Sequence, residues 1–236
     1  MAKPLIQRSW EAANAVADTV GVWVATDDDR IAEAVTSFGG QVVMTSSDCR
    51  NGTERCADAA AQLGDIAEFI INLQGDAPLT PAFVVRGLVE GLAADSRACM
   101  ATAAVRCSPT VYAHLLNDQV QGRVGGTTVV ANHRGHALYF SKRVIPHVPS
   151  GTTSAHALVH LHLGVYAYRA AALAAYAAMS PSPLEGLEGL EQLRFLEGDR
   201  PIHVVSFEAI DWDCIELNNP QDVPAIEAVL QQQGIV

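Results

Sequence analysis

Apolar residues in the first hundred positions alternate between helical spacing and short unbroken runs. A spacing of three and four residues predicts helices at 4–20, 27–38, 53–63 and 81–94, each closed by glycine or by a polar turn. Unbroken apolar runs, typical of buried strands, lie between them at 22–26, 41–44 and 69–73. This alternation predicts an α/β fold built on a doubly wound, mostly parallel sheet.

The second half of the chain has a less regular pattern. Two short runs around the turn Asn132–Gly135 predict a β-hairpin, which adds an antiparallel portion to the sheet. The later segments are predicted as a strand at 159–168, helices at 170–178 and 184–196, a strand at 203–207 and a helix at 222–233.

Composition narrows the class of ligand. The 236 residues carry a net charge of −11 with only 15 Lys and Arg, so a nucleic-acid surface is not expected and a small ligand is. A hydrophobic content of 49% can fill the core of one domain over 1–236. No run of eighteen apolar residues occurs, and the five cysteines lack CxxC spacing. We expect a cytoplasmic protein that keeps its thiols reduced and does not enter the membrane.

The turn Gly75-Asp76 is the first candidate for chemistry. It follows directly on the apolar strand 69–73, and ligands of open α/β sheets bind beyond the carboxyl ends of strands. A carboxylate there can hold a divalent cation beside phosphate oxygens. The alternative is an Asx-type turn whose Asp76 only caps the next helix.

Several segments together resemble one family, the 3-deoxy-manno-octulosonate (Kdo) cytidylyltransferases, also called CMP-Kdo synthetases. The segments that match in order and spacing are Thr26-Asp27, Asn51 to Arg55, Gln74 to Pro78, Ala137 to Ser141, His162 to Tyr166, Pro181 to Glu185 and Glu191 to Arg194. The resemblance implies a nucleotide-diphospho-sugar-transferase fold, transfer of CMP from CTP to Kdo with release of pyrophosphate, Mg²⁺ as cofactor, a homodimer and a place in lipopolysaccharide biosynthesis.

The resemblance also implies a metal site with two protein ligands. Asp76 matches the metal-binding aspartate of the family, although Ala77 replaces the glutamate that normally follows it. Asn218 stands where the family has its second carboxylate, and an amide oxygen should bind Mg²⁺ more weakly than a charged ligand. Asp211, Asp213 and Glu216 either compensate or are solvated loop charges.

Further substrate-binding residues are implied by the same matches. They are Gln74, Lys142, His162, Tyr166, Glu191 and Gln192 for the sugar, and Thr53 and Arg55 for the nucleotide. The residues alone also allow structural roles without substrate contact: a core histidine at 162, surface positions of an amphipathic helix at 191 and 192, and an ordinary helix start at 53. Lys142 replaces a family arginine and lacks its planar fork, so Arg143 could substitute for it in binding the sugar carboxylate.

The resemblance begins after one family feature, a first strand and an arginine-rich loop that grips the triphosphate. Three explanations stay open: an upstream segment is missing from the chain, another segment or a second chain replaces it, or the protein is a non-catalytic homologue. The first explanation predicts that this chain binds CTP poorly. A different acidic sugar, such as a sialic or amino-Kdo acid, is the alternative substrate.

Overall fold

The structure is a computed structural model that describes residues 3–208 and 223–234. Its helices are α1 Leu5–Asn14, α2 Asp29–Ser37, α3 Gly52–Leu63, α4 Ala82–Ala94, α5 Pro109–Val120, α6 Ala170–Ala177, α7 Pro183–Glu188, α8 Leu193–Glu197 and α9 Val223–Gln232, with a 3₁₀ helix at Ala155–Leu158. Its strands are β1 Trp23–Thr26, β2 Gln41–Met44, β3 Phe69–Leu73, β4 Met100–Arg106, β5 Thr128–Ala131, β6 Ala137–Ser141, β7 His160–Arg169 and β8 Ile202–Phe207. The predicted α/β class is therefore confirmed.

The chain divides into two compact units, and α4 and β7 contribute residues to both. The first unit comprises Met1–Gly87, Val165–Ala178 and Asp211–Val236, and the second comprises Leu88–Gly164 and Met179–Ile210. The prediction of one domain over 1–236 stays a prediction.

The first unit combines a parallel and an antiparallel strand pair. Strands β1 and β2 run parallel, with Trp23 opposite Gln41. Strand β3 instead pairs antiparallel with the second half of β7, with Phe69 opposite Arg169. An apolar run identifies a buried strand but carries no information about its direction, so the antiparallel pairing of β3 could not be predicted from its residues.

The second unit holds the antiparallel portion that the sequence predicted. Strands β5 and β6 form the hairpin, with Thr128 opposite Ser141. Strand β5 also pairs antiparallel with the first half of β7, and β4 pairs parallel with β8. The strand order is β6-β5-β7-β4-β8. The core lies around β4, whose residues from Met100 to Ala104 are fully buried.

Two predicted helices are wrong in extent. The first helix ends at Asn14, and Asp18 then adopts the left-handed conformation with φ of 62°. The helix predicted at 184–196 is two short helices, because Gly189 takes φ of 62° and ends α7. Helix α5 was not predicted, although Ser108 caps it by accepting a hydrogen bond from Val111 N, a common helix-start pattern.

The remaining predicted elements agree with the structure to within about two residues where the structure describes them. Of the residues in the two described ranges, none lies in a helix with both the length and the apolar character needed to span a bilayer.

Candidate active site

The turn after β3 is tightly fixed within the first unit. The Gln74 carbonyl accepts a hydrogen bond from Ala77 N at 3.2 Å, and the Gly75 carbonyl accepts one from the Ser9 hydroxyl at 2.6 Å. Helix α1 thus covers the turn, and a Cβ on Gly75 would lie 3.6 Å from Cδ1 of Ile6. The turn therefore has little freedom to reorient the carboxylate that follows.

Asp76 carries an unsatisfied oxygen in this turn. The residue is half-buried, and its Oδ1 is buried without a hydrogen-bond partner among the residues that the structure describes. Leaving a buried carboxylate oxygen unpaired is costly. Hard cations such as Mg²⁺ are bound by oxygens of this kind, so Asp76 fits the cofactor that the sequence predicts. Asn218 lies outside the described residues, as do Asp211, Asp213 and Glu216.

The two predicted nucleotide-binding residues already make contacts within the first unit. The Thr53 hydroxyl is 2.7 Å from the Tyr168 hydroxyl, and Thr53 is fully buried at the start of α3. Arg55 lies 3.1 Å from Asp27 and donates to the Thr45 hydroxyl at 2.6 Å. These contacts favour a structural role for Thr53. The role of both residues in nucleotide binding stays a prediction.

Tyr166 lies on β7, in the part that pairs with β3, and Gln74 directly follows β3. Gln74 is half-buried and belongs to the same turn as Asp76. Tyr166 is buried opposite Asn72, with its ring centroid 6.0 Å from that of Tyr168. The structure thus brings Gln74 and Asp76 together.

His162 is buried in the second unit. Its Nε2 shares a hydrogen bond with the Thr102 hydroxyl at 2.9 Å, and the ring of Phe140 meets it edge-on with centroids 5.1 Å apart. Burial lowers the pKa of His162 to about 3, so the imidazole is neutral at physiological pH. This environment favours a hydrogen-bonded core histidine, the alternative that the sequence left open.

Lys142 is placed by a glutamate that the sequence did not single out. Glu188, the last residue of α7, accepts hydrogen bonds from the Ser141 hydroxyl at 2.8 Å and from Lys142 N at 3.0 Å. Burial and Glu188 together raise the pKa of Tyr139, whose hydroxyl lies 3.4 Å from Oε1 of Glu188. The Lys142 Nζ lies 2.8 Å from the position that a Cβ on Gly189 would occupy. The φ of 62° favours glycine at 189, and a larger residue there would displace the Lys142 ammonium.

Glu191 and Gln192 lie in the turn between α7 and α8, so the prediction that they belong to a continuous helix is wrong. Gln192 is 2% exposed, which contradicts a surface position. Arg194 is 1% exposed, and its Nε donates to Oε2 of Glu185 at 2.6 Å while its Nη2 donates to Oε1. The buried pair fixes the turn. Its sequence signal was the capping-box spacing from Ser182 to Glu185.

The structure therefore groups the predicted residues unit by unit. Gln74 and Asp76 share one turn of the first unit. In the second unit, the ammonium of Lys142 lies against Gly189, at the start of the turn that carries Glu191 and Gln192.

Comparison with known proteins gives one consistent result. A family model described as cytidylyltransferase matches residues 1–202. The 3-deoxy-manno-octulosonate cytidylyltransferase of Maricaulis maris is 42% identical over 230 residues, which cover 98% of this chain and 88% of the relative. The mitochondrial 3-deoxy-manno-octulosonate cytidylyltransferase of Arabidopsis thaliana is 34% identical over 235 residues, with 100% and 77% covered. A solved structure of CMP:2-keto-3-deoxy-manno-octonic acid synthetase complexed with CTP matches with a TM-score of 0.83 and 33% identity, covering 99% of this chain and 90% of that one.

Proposed function

This chain belongs to the cytidylyltransferase family, and we propose that it transfers CMP from CTP to 3-deoxy-manno-octulosonate, releasing pyrophosphate. In that reaction a sugar hydroxyl oxygen forms a bond to the α-phosphorus of CTP, the bond to the bridging oxygen breaks, and the hydroxyl proton is lost. The reaction needs positioning and neutralisation of phosphate charge more than covalent participation by the protein.

The observation that carries the proposal is the buried Oδ1 of Asp76, which has no hydrogen-bond partner within residues 3–208 and 223–234. It lies in the turn directly after β3, where a carboxylate is available for a cation, and Asn218 is the proposed second ligand. When bound, Mg²⁺ would neutralise phosphate charge and orient the triphosphate. Asp76 holds its position because Ser9 and the Ala77 amide fix the turn on either side.

Lys142 supplies the positive charge for the sugar carboxylate in this proposal. Its backbone amide is bound by Glu188 and its ammonium lies over Gly189, so the side chain is held at the start of the turn that carries Glu191 and Gln192. The other proposed sugar contacts are Glu191 and Gln192 in the second unit and Gln74 and Tyr166 in the first. His162, also proposed for the sugar, lies in the core of the second unit, where it is neutral and bonded to Thr102.

The test is an assay of pyrophosphate release from CTP with Kdo as acceptor. Asp76→Asn should reduce kcat/KM about 100-fold or more, because a metal ligand of this kind contributes several kcal/mol to transition-state charge stabilisation. Asp65→Asn is the matched control, since Asp65 is an exposed acid in a turn of the same unit. Equal activity of the two variants would remove Asp76 from the mechanism.

A second assay addresses the sugar. Lys142→Met should raise the KM for Kdo, and Lys142→Arg should restore most of it, because arginine retains the charge. A panel of acceptors that includes sialic and amino-Kdo acids decides between Kdo and its rivals. No turnover with any acceptor would favour the non-catalytic homologue.

The remaining parts of the proposal concern the setting of the enzyme. We propose a cytoplasmic homodimer, as the family resemblance implies; the plant relative, by contrast, is named as mitochondrial. Analytical ultracentrifugation tests the dimer directly, and a monomer at micromolar concentration would contradict it.

A further inference from the structure

Three potential metal ligands converge in the second unit, outside the proposed active site. They are Asp95, directly after α4, His136, in the β5–β6 turn, and His203, on β8. One ligand atom from each lies within 4.8 Å of the other two. Their side chains are 13%, 13% and 21% exposed, so the cluster is only partly open to solvent.

The ligand atoms are arranged around one carboxylate oxygen. Oδ2 of Asp95 lies 2.5 Å from Nε2 of His136 and 3.5 Å from Nδ1 of His203. The Nδ1 of His203 is buried and makes no hydrogen bond with any residue in the two described ranges. A simple Asp–His pair would account for His136 but leaves this second ring nitrogen unexplained.

Backbone hydrogen bonds position the Asp95 carboxylate and the backbone of the two histidines. Oδ1 of Asp95 accepts a hydrogen bond from Arg97 N at 3.1 Å, which directs Oδ2 towards the two histidines. His136 and His203 form an antiparallel β-bridge, and Val204 N donates to the Gly135 carbonyl at 2.7 Å. Such outer contacts are typical of metal sites, where they orient the ligands.

Two glycines make room for the ring of His203. A Cβ on Gly91 would lie 3.1 Å from its Cδ2, and one on Gly135 would lie 3.3 Å from its Cε1. Both distances are tighter than ordinary contacts, so a larger residue at either position would push the ring away. The imidazole is thus seated between α4 and the hairpin turn.

We propose that Asp95, His136 and His203 form a site for a transition-metal ion, with Zn²⁺ as the best match, that ties the end of α4, the β5–β6 turn and β8 together. Two imidazoles and a carboxylate are a common protein ligand set for zinc, and water completes the tetrahedron. Metal–ligand bonds of about 2.0–2.1 Å place neighbouring donors about 3.4 Å apart. The His203 contact is close to that length at 3.5 Å, and the His136 contact would open by about 0.9 Å to admit the ion.

The site is distinct in chemistry from Asp76. Its two nitrogen donors favour Zn²⁺ and Co²⁺, whereas an aspartate–asparagine pair favours Mg²⁺. Because the ion would bind the folded unit and not the unfolded chain, it should stabilise the β5–β6 hairpin, which ends directly before Lys142.

The test uses the tag-free chain, stripped with chelator and titrated at pH 7.5 with Co²⁺ and then with Zn²⁺ in competition. One equivalent of Co²⁺ should give the intense visible bands of a four- or five-coordinate site, and Zn²⁺ should displace it. His203→Gln should weaken binding by more than about 100-fold, because loss of an outer contact typically costs only about 10- to 100-fold. His133→Gln is the matched control, since His133 is an exposed histidine of the same turn. Asp76→Asn should leave the bands unchanged.

X-ray absorption at the zinc edge of the wild-type protein provides a test that does not depend on variant folding. It should report two imidazoles and oxygen donors at about 2.0–2.1 Å. Zinc at 100 times its dissociation constant should also raise Tm by about 5 °C or more. Unchanged Co²⁺ binding in a folded His203→Gln variant, or a zinc environment without imidazole, would overturn the proposal.

Discussion

Replacing Glu185 by glutamine should be among the most destabilising single changes in the second unit. Arg194 is 1% exposed and the Glu185 side chain is 11% exposed, and two guanidinium N–H groups bind the two carboxylate oxygens. The Glu185→Gln variant keeps the shape but removes the carboxylate charge that the buried guanidinium binds. Breaking a buried pair in this way costs about 3–5 kcal/mol.

For a chain of 236 residues, each kcal/mol shifts Tm by roughly 2–4 °C, so the expected decrease is roughly 6–20 °C. Calorimetry measures it without assuming that the two units unfold together. Glu208→Gln is the control, because Glu208 pairs with Arg106 at 3.3 Å while their side chains are 84% and 45% exposed. An exposed pair contributes at most about 1 kcal/mol.

Removing both charges of the pair provides a second, independent test. The double variant Glu185→Leu/Arg194→Met removes both charges at similar volume and should recover most of the lost stability, since a buried ion pair adds little over apolar packing. If Glu185→Gln stayed within 1 kcal/mol of the wild type, or if the double variant were no more stable than the single one, the buried Glu185–Arg194 pair would not have the energetic role assigned to it.

Three further predictions concern stability and the lysine contact. Folding lowers the pKa of His162 from 6.5 to about 3, so the stability contributed by the neutral imidazole is complete above pH 6.5 and is lost as pH falls towards 3. The free energy of unfolding should therefore decrease by about 2 kcal/mol between pH 7 and 5. Chemical denaturation of His162→Gln at both pH values should show a smaller decrease. Gly189→Ala should raise the KM for Kdo by displacing Lys142 and should destabilise the protein by about 1 kcal/mol. Gly186→Ala is the control, because no atom lies within 4 Å of the added Cβ, and it should leave KM unchanged. Equal KM values in the two variants would contradict the contact between Lys142 and Gly189. Asn51→Ala removes the side chain that caps α3 by accepting a hydrogen bond from the Glu54 amide. The free energy of unfolding, measured by chemical denaturation, should fall by about 1 kcal/mol, and an unchanged value would contradict the role of the cap.

Periodicity was sufficient for most of the elements but not for their directions or interruptions. The apolar run at 69–73 predicted β3, yet only tertiary pairing decides that it lies antiparallel to β7. The stripe of leucines at 184–196 suggested one helix, and the break at Gly189 depends on a left-handed turn that a glycine permits but does not require.

Site residues could be predicted where the local sequence indicates their role, but not where the role depends on contacts with residues distant in sequence. Asp76 was identified from a strand followed by a Gly-Asp turn, and its buried oxygen agrees with that reading. The roles of Glu188 and Glu185 were missed, because their importance comes from contacts 46 and 9 residues away in sequence. The Asp95–His136–His203 cluster lacks any recognisable spacing for the same reason.

The most direct test of the cytidylyltransferase assignment is an assay with radiolabelled CTP, Mg²⁺ and Kdo. Labelled CMP-Kdo should form only when Kdo is present, with one pyrophosphate released per product, and Asp76→Asn should abolish most of it. Absence of Kdo-dependent product from the folded protein would contradict the proposed function.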